Sequence, residues 1–144
     1  MRNRLLLTPM LIAAGLATPL AAAQAATVKL AATLVGPNEP AGGDADGTGA
    51  FAVSIDPDAG DFCYTLTADK IAKPTAAHVH TGAVGTNGPP IVTIDVTGND
   101  GDECVAVEPD VLKTIIANPA GYYVNVHTAD FPAGAIRGQL TAVK

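Results

Sequence analysis

Apolar and polar residues alternate along much of the chain with the period of two that sends successive side chains to opposite faces of a strand. The alternation is clearest in Thr48–Asp56, where Phe51, Val53 and Ile55 take one face and Ala50, Ala52 and Ser54 the other. It is equally clear in Asp61–Asp69, where Phe62, Tyr64, Leu66 and Ala68 oppose Cys63, Thr65 and Thr67. Asp56-Pro57-Asp58-Ala59-Gly60 between them reads as a hairpin connection. Alternating or β-branched runs predict further strands over 27–35, 76–81, 90–97, 103–107, 121–128 and 135–143. Eight strands at this spacing indicate an antiparallel sandwich or barrel. One segment breaks the period: Val111, Leu112, Ile115 and Ile116 recur at helical spacing behind Pro109 and before Asn118-Pro119, predicting a helix of about two turns.

Composition supports this reading, because 15 glycines and 11 prolines in 144 residues disfavour a helical bundle. The beginning of the chain stands apart. Arg2 and Arg4 precede an apolar run from Leu5 through Ala23 that ends at Ala23-Gln24-Ala25, the pattern of a secretory signal peptide over residues 1–25. Pro9, Pro19 and the alanine-rich end favour cleavage over a retained anchor, leaving one domain, 26–144. The remaining chain then carries six basic against fourteen acidic side chains, a net charge of −8. That charge excludes a phosphate-tracking nucleic-acid binder. No later apolar run is long enough to span a bilayer, so the expected product is periplasmic or secreted, with no membrane attachment once the signal is removed.

Export sets how Cys63 and Cys104 are read, since oxidising compartments permit disulfides and no other cysteines are present. One bridge is expected, closing a loop of roughly 42 residues and contributing about 4 kcal/mol in the chain-entropy model. A thiolate metal site or redox pair is the weaker alternative, as there is no Cys-x-x-Cys spacing.

All three histidines fall in two predicted strands. His78 and His80 share a face of 76–81, with Ala77 and Val79 opposite. His127 shares a face with Tyr123 and Asn125, with Val124 and Val126 opposite. The valines are the core-facing set, so the imidazoles point outward, where a His-x-His pair and a third histidine on a neighbouring strand could hold one ion. Imidazole donors favour copper, with zinc second. The competing reading is that these histidines simply hydrogen-bond to loop backbone. Asp44-Ala45-Asp46-Gly47 and residues 99–103 contain calcium-loop-like acids without the full ligand series, and read as turns. The glycine-rich stretch 81–90 lacks the lysine and helix of a phosphate cradle, and no Gly-x-Ser-x-Gly marks a hydrolase. Arg137 shares an outward face with Gln139 and is either paired with an acidic loop or a binding contact.

Ala77-His78-Val79-His80-Thr81-Gly82, the loop with Asn87-Gly88-Pro89, Tyr123-Val124-Asn125-Val126-His127-Thr128, and the run from Phe131 through Ile136-Arg137-Gly138-Gln139-Leu140 together resemble the CHRD domain, named after chordin and found in many exported bacterial proteins. The resemblance covers essentially residues 27–143, with Ala135 standing where the family often has an acidic residue. It implies a β-sandwich, and together with the residue pattern the expected fold is all-β, an antiparallel sandwich, immunoglobulin-like or Greek-key in type, of about eight strands with the one short helix. It also implies an extracytoplasmic setting, and the family has no generally established enzymatic activity. The His-Val-His strand also resembles a copper-ligand strand of copper/zinc superoxide dismutase, but three histidines cannot supply that family's larger set and an anionic protein repels superoxide. The expected function is therefore an exported copper-binding module for sequestration or delivery, its partners the metal ion and another exported protein. The alternative is an interaction or structural domain without metal.

Overall fold

The computed structural model of the chain describes residues 26–97 and 103–143; the expected signal segment and residues 99–102 of the second acidic loop lie outside them. Among the described residues the strands are β1 (Val28–Val35), β2 (Thr48–Asp56), β3 (Asp61–Asp69), β4 (Pro74–Thr81), β5 (Pro90–Ile94), β6 (Glu103–Ala106), β7 (Tyr122–Thr128), β8 (Ile136–Gln139) and β9 (Thr141–Ala142). The helix α1 (Pro109–Ala117) lies between β6 and β7. The fold is all-β with one short helix.

The strictest alternation makes the best-matched pair. β2 and β3 run antiparallel with Phe51 opposite Leu66, Val53 opposite Tyr64 and Ile55 opposite Phe62. The turn between them is closed by Asp56, whose Oδ1 accepts the backbone N–H groups of Asp58 and Ala59 at 3.0 Å each. Gly60 completes it at φ +80°, a conformation that side chains disfavour.

All strand pairs are antiparallel and follow one hydrogen-bonded path, β5-β4-β7-β8-β1-β2-β3-β6, with β9 also on β1. Core residues from both stretches of this path, among them Val79, Ile94 and Val126 on one and Phe51, Ile55 and Phe62 on the other, belong to a single cluster. The sheet is therefore curled around a common interior. Leu112 and Ile115 of α1, both fully buried, add the helix to the same cluster. Pro109 begins the helix and the chain leaves it at Asn118-Pro119, as the sequence pattern predicts.

Two predicted strands differ from the observed ones for local reasons. The run 90–97 pairs only as far as Ile94, because Asp95 Oδ1 captures the N–H and hydroxyl of Thr97 at 2.7 Å each and turns the chain out of the ladder. The run 135–143 is divided at Leu140, whose side chain is fully buried and whose N–H donates to Tyr122 O, so that β8 serves β7 and β1 while β9 rejoins β1. Gly138 is required where β8 closes on β1, since a Cβ there would run into the Thr33 carbonyl and the Leu34 side chain. At the far end of the path Cys63 and Cys104 stand opposite each other in the β3–β6 register and are joined by a disulfide.

Candidate metal centre

β4 and β7 are neighbours, and their register sets the site. Val79 pairs with Val124 and Ala77 with Val126, all four fully buried, which turns His78, His80, Tyr123, Asn125 and His127 to the opposite face. His80 stands across from Tyr123 and His78 across from Asn125, while His127, across from Ala76, lies diagonally from His78. The predicted trio is therefore brought together: His78 Nδ1 is 3.3 Å from His127 Nε2, and one nitrogen from each ring lies within 4.8 Å of the others. An ion bonded at about 2 Å to each nitrogen spaces its donors about 3.3–3.5 Å apart, so small ring rotations complete the set.

Backbone carbonyls settle two tautomers. A carbonyl only accepts, so His80 Nδ1 donates to Gly88 O at 2.8 Å and His127 Nδ1 donates to Pro132 O at 3.0 Å. Each neutral ring then keeps its lone pair on Nε2, the arrangement that orients a histidine for a metal. His80 Nε2 is buried and has no hydrogen-bond partner in the protein, which leaves its lone pair free for an ion. Burial, then the neighbouring His127 and His80, holds the His78 imidazole below its ordinary value near 6.5. Burial also lowers His127, against the Pro132 carbonyl, which favours the protonated ring, and with a further lowering from His80. Neutral imidazole, the form that binds metal, thus persists to lower pH than in a free histidine.

The outer face is not simply solvated, which sequence patterning does not reveal. His80 is 9% exposed, Asn125 3%, Tyr123 2% and Arg137 2%. The loop between β4 and β5 covers part of this face. Arg137 reaches it from β8, donating from Nη1 to Asn87 Oδ1 at 3.0 Å and from Nη2 to the carbonyls of Thr86 at 2.6 Å and Ala83 at 3.2 Å. Gln139 on the same face donates to Gly82 O and Ala120 O at 2.7 Å each. The hydrogen bonds of the guanidinium thus go to uncharged loop groups, while the acid that acts on it, of the kind one of the two expectations names, is Glu39. Glu39, which sequence reasoning does not single out, is also buried here. Burial raises its carboxyl above the ordinary range, opposed by Arg137 and by the neighbouring Asn125 amide. Its Oε1 and Asn125 Oδ1 are buried without partners in the protein. Glu39 lies in a short polar segment, Asn38-Glu39-Pro40, that looks like any surface turn, so nothing in the pattern marks it.

Among the described residues, the three histidines are the group of histidine, cysteine and carboxylate side chains whose donor atoms converge in this way. Asp44-Ala45-Asp46-Gly47 is a turn in which Gly47 N donates to Asp44 O at 3.2 Å and Asp44 N to Ala135 O at 2.8 Å.

Fold and site together define a β-sheet module that gathers three imidazoles on one face. The chain belongs to the CHRD domain family, whose model matches residues 30–140, from within β1 through Leu140. Comparisons with curated proteins and with solved structures return no match. Membership in this family points to an extracellular module, a setting that the disulfide fits.

Proposed function

We propose that this protein is an exported module that binds one copper ion through His78, His80 and His127, for sequestration or delivery to another exported protein. The observation that carries the reading is the convergence of one nitrogen from each ring within 4.8 Å, with two rings held by backbone carbonyls in the tautomer that presents Nε2. Three neutral imidazoles on stiff strands favour copper over zinc, following the stability order of divalent ions. The signal-like segment 1–25 and the disulfide support export to the periplasm or beyond.

A second reading has its own support. The 3.3 Å approach of His78 Nδ1 to His127 Nε2 is also the geometry of a direct imidazole hydrogen bond, as expected of a metal-free structural or interaction domain. Competition titration with Cu(II), and with Cu(I) under reducing conditions, separates the two. One equivalent bound tightly, with zinc weaker, is expected; absence of saturable binding leaves the structural reading. The pH dependence is a further expected outcome. Affinity is full where the imidazoles are neutral and falls as they protonate, and because His78 and His127 are lowered, the decline lies below about pH 6.5. A decline centred above that value would contradict the site's electrostatics.

A further inference from the structure

We propose that Arg137 is the positioning residue of the histidine site, setting both the tautomer and the ring plane of His80 from two strands away; this rests on the metal reading for its purpose, though not for its geometry. Two separate chains of contact lead from one guanidinium to one imidazole.

The first runs through the loop. Arg137 binds the side chain of Asn87 and the carbonyls of Ala83 and Thr86, three points on the segment that ends at Gly88. Gly88 O is the acceptor at 2.8 Å that keeps the His80 proton on Nδ1 and leaves Nε2 unprotonated. Gly88 also packs close to β4, since a Cβ on it would strike the Thr81 carbonyl, so the acceptor's place depends on how the loop is held. The second runs through Tyr123. The guanidinium carbon lies 3.3 Å from the Tyr123 ring centroid, and the same ring is stacked on His80 at 4.8 Å with planes 8° apart. Because β7 lies between β4 and β8, Tyr123 is held between histidine and arginine. Its hydroxyl also accepts from Gly88 N at 3.4 Å, tying the two chains together.

Burial argues for such a role. Removing a guanidinium from water is expensive, and apolar residues of similar volume often replace buried charges without loss of stability. Arg137 is 2% exposed. What an apolar side chain could not do is hold three loop acceptors with a planar fork while stacking on an aromatic ring.

The test reads the metal-free protein first. Nitrogen-15 spectra of the histidine rings, taken above the imidazole titration range, are expected to show His80 as the Nδ1–H tautomer in the wild type. In Arg137→Gln and Arg137→Lys, His80 is expected to become a mixture of tautomers while His127, held by Pro132 O, is unchanged. Copper affinity in both variants should fall about 10–100-fold, the range for residues that orient metal ligands without touching the metal. Asn87→Ala, which removes one of the three loop contacts, should give a smaller change of the same kind and serves if the arginine variants fail to fold. Ile136→Val, a core change in the same strand, controls for general loosening and should leave the His80 signals alone. Arg137→Gln or Asn87→Ala protein with the wild-type His80 tautomer and affinity would overturn the proposal, as would an equal effect from Ile136→Val. If the wild type binds no copper but the arginine variants still release the His80 tautomer, the metal reading fails and the positioning role stands.

Discussion

Reducing the Cys63–Cys104 bond is expected to lower the unfolding free energy by about 4 kcal/mol and the thermal midpoint by roughly 10–20 °C. The bond closes a separation of 41 residues that includes β4 and β5, so cutting it restores much freedom to the unfolded chain. It also ties down β6, a four-residue strand whose one ladder partner among the described residues is β3. α1 follows directly and reaches the core chiefly through Leu112 and Ile115. Calorimetry with and without reductant measures the change. The histidine site on β4 and β7 should keep its copper affinity in the reduced protein as long as the fold is populated. A reduced protein as stable as the oxidised one would show that β6 and α1 are held by packing alone.

Replacing any one of the three histidines with alanine is expected to weaken copper binding by more than about a hundredfold, exceeding the effect of residues that merely orient ligands. The variants should differ in what else they lose. His78→Ala removes the ring that contacts both others, at centroid distances of 5.5 Å to His80 and 5.3 Å to His127, and disturbs no backbone hydrogen bond. His127→Ala leaves Pro132 O without its donor at a turn that water reaches, a small change in stability. His80→Ala strips Tyr123 of a stacked neighbour and Gly88 O of its donor, and is expected to destabilise by about 1–2 kcal/mol as well. Parallel copper titrations and denaturant unfolding of the three variants separate the two effects. Wild-type affinity in any variant would remove that residue from the site.

The parts of this fold visible in the sequence are those governed by local alternation. β2 and β3 have the bounds that the pattern predicts, because each has one apolar face and one of small or polar residues, and a one-residue slip would turn the whole set outward. The same reasoning places the valines of β4 and β7 inward and the three histidines together on the other face. What the pattern could not reveal depends on contacts between distant parts of the chain. Arg137 meets Asn87 across 50 residues, and Glu39 comes beside Arg137 and Asn125 from an ordinary polar segment. Alternation marks Arg137 and Asn125 as outward-facing and leaves Asn87 and Glu39 in loops, whereas a covering loop makes the outward face a second, polar interior. Leu140 shows the same limit on a smaller scale, as its burial divides a run that reads as one strand.

The central claim, that three imidazoles hold one copper ion, is tested most directly by X-ray absorption at the copper edge on protein carrying one equivalent of the metal. The expected result is three nitrogen scatterers at about 2 Å with the outer-shell signature of imidazole rings, reduced to two in each single His→Ala variant. A wild-type shell with fewer than three imidazoles, or one that the three variants leave unchanged, would contradict it.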